Sequence, residues 1–73
     1  MPKYEVFGPE RAHLFTNSVP EGAEIVGAIR RSDECIGGAL VKLASGQYAQ
    51  VNAGALRTLD QDAVKAALEA RKQ

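Results

Sequence analysis

With 73 residues, nine basic and nine acidic side chains, one cysteine and one histidine, the chain has the size of one small domain and no net charge. That excludes an intrachain disulfide and removes the global basic excess that marks a non-specific nucleic-acid binder. A domain of this size buries only about 60% of its unfolded surface, so the core is small, and homodimer formation is the common remedy where disulfides and structural metals are absent.

Met1 to Thr16 carries Glu5, Glu10 and Arg11 without a continuous apolar run, so it does not read as a signal peptide. No stretch approaches the length of a membrane span, and a single thiol suits a reducing compartment, so a cytoplasmic location is expected. Lys3 to Phe7 alternates, with Tyr4 and Val6 on one side and Phe7 on the other, and predicts a first strand stopped by Gly8 and Pro9. Glu10 to Thr16 fits either one helical turn or a short extended piece. Val19-Pro20-Glu21-Gly22 predicts a turn, proline presetting its own φ and glycine accepting a positive one. Glu24 to Arg31 predicts a second strand, with Ile25, Gly27 and Ile29 on one side and Val26 and Ala28 on the other. Apolar residues on both sides place it inside the sheet.

Ser32 to Gly37 reads as a polar loop, followed by a hairpin of Ala39–Leu43 and Gln47–Asn52. Its register depends on the turn. A two-residue Ser45-Gly46 turn scatters the apolar side chains over both faces, whereas a three-residue loop, Ala44-Ser45-Gly46 with Gly46 left-handed, pairs Leu43 with Gln47. Ala39, Val41, Leu43, Ala49 and Val51 then share one face, and Leu40, Lys42, Tyr48, Gln50 and Asn52 the other. Asn52-Ala53-Gly54 is expected to end the strand. A helix is predicted from Asp60 to about Arg71, with Asp60 as N-cap and Leu59 and Val64 as a staple, or with Thr58 and Gln61 as a capping box. Ala63, Val64, Ala67 and Leu68 form its apolar stripe, Asp62, Lys65, Glu69 and Lys72 its outer face. The expected fold is α+β: an antiparallel three- or four-stranded meander with one C-terminal helix on the Val41 face.

Chemistry is sparse. Cys35 and His13 are the only residues that could make a Cys/His nucleophilic pair, but Asp33 and Glu34 beside the thiol oppose a thiolate. Gly37-Gly38 lacks the lysine and spacing of a phosphate loop and reads as a bend, while Gly27 suggests a bulge or a close backbone approach. Asp60 and Asp62 are explained by capping. No catalytic, cofactor-binding or metal site is assigned. Two surfaces remain as candidates. Arg30, Arg31, Lys42 and Arg57 could line a basic edge near Tyr48 that contacts phosphate and stacks a base. Leu40, Tyr48 and Gln50 could form an exposed patch for a partner or a second copy, unless the Tyr4 to Phe15 segment covers them.

The stretch GALVKLASGQYAQVNAGALRTLDQDAVKAAL, Gly38 to Leu68, resembles short uncharacterised proteins of phages and prophages in its GALVKL strand, SGQYAQ strand and LDQ helix start. The resemblance implies a small accessory protein of a mobile element that binds host or phage macromolecules, and it carries no site residue. The sequence is therefore read as a non-enzymatic binding module acting through protein contacts, with self-association included, no membrane and no small-molecule substrate. The alternative is a nucleic-acid-binding accessory or regulator.

Overall fold

The computed structural model describes residues 3–34 and 37–72. Five strands, β1 (Tyr4–Phe7), β2 (Glu24–Arg31), β3 (Gly37–Lys42), β4 (Tyr48–Asn52) and β5 (Ala55–Thr58), form one antiparallel sheet in sequence order. A 3-10 segment, Pro9–Ser18, lies between β1 and β2, and helix α1 (Gln61–Lys72) follows β5. The α+β meander with a C-terminal helix is as expected, but with five strands rather than three or four. The added strand comes from Asn52-Ala53-Gly54, which turns the chain instead of ending the sheet. Ala53 (φ 52°) and Gly54 (φ 82°) both lie in the left-handed region, the signature of a two-residue type I′ hairpin. Alanine is a poor residue for that position, and the sequence therefore reads as a break.

The β3–β4 connection is the three-residue loop. The Leu43 N–H donates to the Gln47 carbonyl and the Gly46 N–H to the Leu43 carbonyl, each at 2.8 Å, with Gly46 at φ 93°. Lys42 consequently pairs with Tyr48 and Val41 with Ala49, which puts Ala39, Val41, Ala49 and Val51 together on one face. In β2 the simple alternation fails. The register slips between Ile25 and Gly27, so Val26 is an extra residue, Ile25 joins Ala28 on the Val41 face and Val26 joins Ile29 on the other. Glycine at 27 has a direct reason: a Cβ there would meet the Phe7 carbonyl at 2.6 Å. Gly37 and Gly38 belong to β3 rather than to a bend, and side chains on them would meet the carbonyls of Ile29 and Val51 at 2.6 and 2.5 Å. The early turn spans Pro20–Ala23, one residue on from its expected place, with the Ala23 N–H bonded to the Pro20 carbonyl and Gly22 at φ 83°.

The two roofs of the sheet are exchanged relative to expectation. Helix α1 covers the Leu40 face, where Val64, Ala63, Ala67 and Leu68 pack with Tyr4, Val6, Val26, Ile29, Leu40, Tyr48 and Leu59. The stripe of the helix is therefore the expected one, on the opposite side of the sheet. The Val41 face is closed by the 3-10 segment, whose Ala12 and Phe15 pack over Ala28, Ala39, Val41, Ala49 and Val51. The start of α1 decides the side. Leu59 is buried in the Leu40 cluster, and the Gln61 side chain is tied to the backbone of Tyr48: Oε1 accepts from the Tyr48 N–H (2.7 Å) while Nε2 donates to the Tyr48 carbonyl (2.9 Å) and the Leu59 carbonyl (2.8 Å). Gln61 is thus an extension of the sheet and not part of a capping box.

Asp60 is the N-cap, its Oδ1 accepting from the Ala63 N–H at 3.2 Å, and its own N–H donates to the Tyr4 hydroxyl at 3.2 Å. The backbone bond from Ala63, with Lys3 Nζ 3.4 Å away as a smaller contributor, holds the Asp60 carboxyl below its ordinary value of 3.8.

Candidate binding surface

The patch proposed from Leu40, Tyr48 and Gln50 is covered. Leu40 has no exposed surface beneath α1, Gln50 is buried with its amide directed at the Ile29 carbonyl (3.5 Å), and Tyr48 is half-buried against the helix-side cluster. These residues are core because α1 roofs the face that the sequence left open.

Of the four basic residues only Arg31 and Arg57 are brought together, on a shared Glu34. Arg30 shares the 3-10 side of the sheet with Glu5 and Phe7, and its Nη2 donates to Glu5 Oε1 at 2.8 Å. Arg31 pairs across from Tyr4 at one end of the sheet, whereas Lys42 pairs with Glu24 and Tyr48 at the other. Arg31 Nε lies 3.3 Å from Asp33 and 3.9 Å from Glu34, and Arg57 Nη1 lies 3.7 Å from the same Glu34. Only Lys42, 6.0 Å from the Tyr48 ring centroid, has no carboxylate partner among the described residues of that group. The ion pairs are at least partly solvent-exposed and worth about 0–1 kcal/mol each, but together they neutralise the cations that a phosphate contact would use.

Of the chemical candidates, His13 is exposed and its Nδ1 bonds to the Glu10 carbonyl at 2.7 Å. Cys35 lies outside the described residues. An open cleft of about 250 Å³ runs beside the 3-10 segment, floored by Phe7, Phe15 and Ala28 with Arg11 and Arg30 over the Phe7 ring.

The surface that sequence reasoning missed is β5. All four of its residues are exposed, and Leu56, half exposed at 51%, is the one large hydrophobic side chain standing out among the described residues. Its backbone polarity follows from the hairpin. In a two-residue hairpin the closing pair, here Asn52 and Ala55, exchanges both ladder bonds, and bonded and non-bonded pairs then alternate. Gln50 and Arg57 are therefore bonded, while Leu56 and Thr58 turn their N–H and C=O groups away from β4. Tyr48 supplies an independent check, since it lies in phase with Gln50 and Asn52 and its two backbone groups face the β5 side, where the Gln61 amide receives them. The signal available in the sequence was short: Leu56 and Thr58 alternating with Ala55 and Arg57 after a glycine.

Comparison with protein-family models, curated proteins and solved structures finds no match. The class that fold and surface define is a small five-stranded α+β domain whose edge strand β5 is exposed along its length.

Proposed function

We propose that this domain is a non-enzymatic binding module that acts through protein contacts, using β5 as an acceptor for an added strand. The observation that carries the reading is the pair of outward-facing backbone groups on Leu56 and Thr58, next to an exposed leucine, on a strand whose four residues are all exposed. Unpaired edges are ordinarily blunted by charge, proline or a covering loop, and strand addition is a standard mode of peptide recognition. β5 carries a single charge, Arg57, already paired with Glu34. A role as an accessory protein of a mobile element is consistent with the resemblance of Gly38 to Leu68. The nucleic-acid alternative draws less support, because Arg30, Arg31 and Arg57 are each paired with acids and are spread over two faces.

The test is capture from native lysate on immobilised protein, with and without nuclease, comparing the natural chain with Leu56→Pro. Proline at 56 deletes an N–H that β4 does not use, so the hairpin ladder is retained. Specific protein capture that resists nuclease and disappears with Leu56→Pro is expected. Capture that requires nucleic acid, or that Leu56→Pro leaves intact, overturns the reading.

A further inference from the structure

Resting on the reading of β5 as the binding edge, we infer that the strand added to it is the β5 of a second copy of this chain, antiparallel and centred on Leu56. The result is one continuous sheet with five strands from each copy.

Two symmetric registers are within reach of so short a strand. One centres on Arg57, placing the two guanidinium-bearing residues directly opposite each other in a non-bonded pair, with Cα atoms about 4.5 Å apart, an arrangement that like charges oppose. The other centres on Leu56. The outward N–H and C=O of Leu56 then exchange two hydrogen bonds with Leu56 of the second copy, and Arg57 lies opposite Ala55. This register also solves the exposure of the leucine. Leu56 pairs with Val51, Val51 with Ala39 and Ala39 with Ala28, one cross-strand row that is buried as far as Val51 and ends in the exposed Leu56. A two-fold axis normal to the sheet keeps each face on its own side, so the row continues through the two leucines into the second copy.

The opposite edge does not offer the same fit. Tyr4 of β1 is buried, its other residues are half-buried and helix α1 packs against it, so this edge presents no exposed large hydrophobic side chain among the described residues. A contact between β5 and the β1 edge of another copy would also be heterologous and open-ended, whereas β5 on β5 closes after two subunits. The other remedies for a small core, disulfides and metals, have no foundation here: the chain has one cysteine, and no cluster of metal-binding side chains occurs among the described residues.

Sedimentation equilibrium of the purified chain from micromolar to millimolar concentration tests the idea, with circular dichroism confirming that each variant is folded. A monomer–dimer equilibrium is expected, weakened at least tenfold by Leu56→Pro and by Leu56→Lys, the latter partly restored by salt, and unweakened by Arg57→Ala. Register is read by single cysteines in a Cys35→Ser background. Bonded antiparallel pairs have Cα atoms about 5.5 Å apart, within disulfide reach, so Leu56→Cys should cross-link faster than Arg57→Cys or Thr58→Cys. A chain that stays monomeric at millimolar concentration overturns the inference, as does a dimer indifferent to both Leu56 variants or one that cross-links best through position 57. A monomer that still captures a protein through β5, and loses it with Leu56→Pro, overturns self-pairing while leaving the binding-edge reading in place.

Discussion

Beneath the 3-10 segment the sheet presents Ala28, Ala39 and Ala49 around Val41 and Val51, whereas beneath α1 it presents Tyr4, Ile29 and Leu40. The two roofs match these floors. Small side chains let the tight Pro9–Ser18 coil come close, with Ala12 as its fully buried contact, while larger ones stand the sheet off from a helix and fill the gap with Val64 and Leu68. One face is thus sensitive to added volume and the other to lost volume. A helix needs a legible stripe to be recognised; a 3-10 segment held by close approach to alanines does not.

The largest expected effect breaks the alanine-lined face outright. Val41→Asp buries a carboxylate without a partner, at a cost of several kcal/mol that rivals the entire stability of a domain this small. The variant should show no cooperative thermal transition, and a normal melt would contradict the core assignment. Next, Leu40→Ala empties space under α1 and should cost about 2–5 kcal/mol in urea unfolding. Were Leu40 on an exposed patch, the change would be nearly silent, so this variant separates a roofed face from an open one. Ala39→Leu sharpens the contrast from the other side, because it adds volume where the 3-10 segment sits close, with an expected loss of about 1–3 kcal/mol. A neutral or stabilising result would mean that the alanines do not set the approach of that segment.

The smallest effect concerns pH. Asp60 has a carboxyl held below its ordinary value of 3.8 by the Ala63 N–H and Lys3, so its contribution is complete above that value and is lost as pH falls through the lowered one. Stability of the natural chain should therefore drop on acidification below about pH 4 with a component that Asp60→Asn, which keeps a capping oxygen, lacks. Parallel acid titrations of the two proteins should separate by this slope alone.

How much of this was legible follows from which interactions are local. Leu43 to Gln47 carry their own turn chemistry, and Asp60 with Leu59 and Val64 their own cap, so hairpin register, face membership and helix stripe could be read directly. The choice of face for α1 could not, because it depends on Gln61 reaching Tyr48 and on Tyr4 receiving the Asp60 N–H, contacts between residues 13 and 56 positions apart. The slip at Val26 was hinted at by Gly27 but not placed, since a bulge is fixed by the carbonyl of Phe7 on a neighbouring strand. For the surface the failure was one of sign. Leu40 and Gln50 looked open only because the roof was assigned to the wrong side, and β5 went unseen because Ala53 adopts a conformation that alanine seldom does.

The Gln61 amide has a kinetic consequence. By taking both backbone groups of Tyr48, a helix residue acts as the next rung of the β4–β5 ladder, so opening the first turn of α1 also exposes the end of the sheet. Fraying at the helix start and fraying at the strand end are then a single event with one opening free energy, and the Tyr48 amide should exchange with solvent in step with the amides of the first helical turn rather than with those of β5.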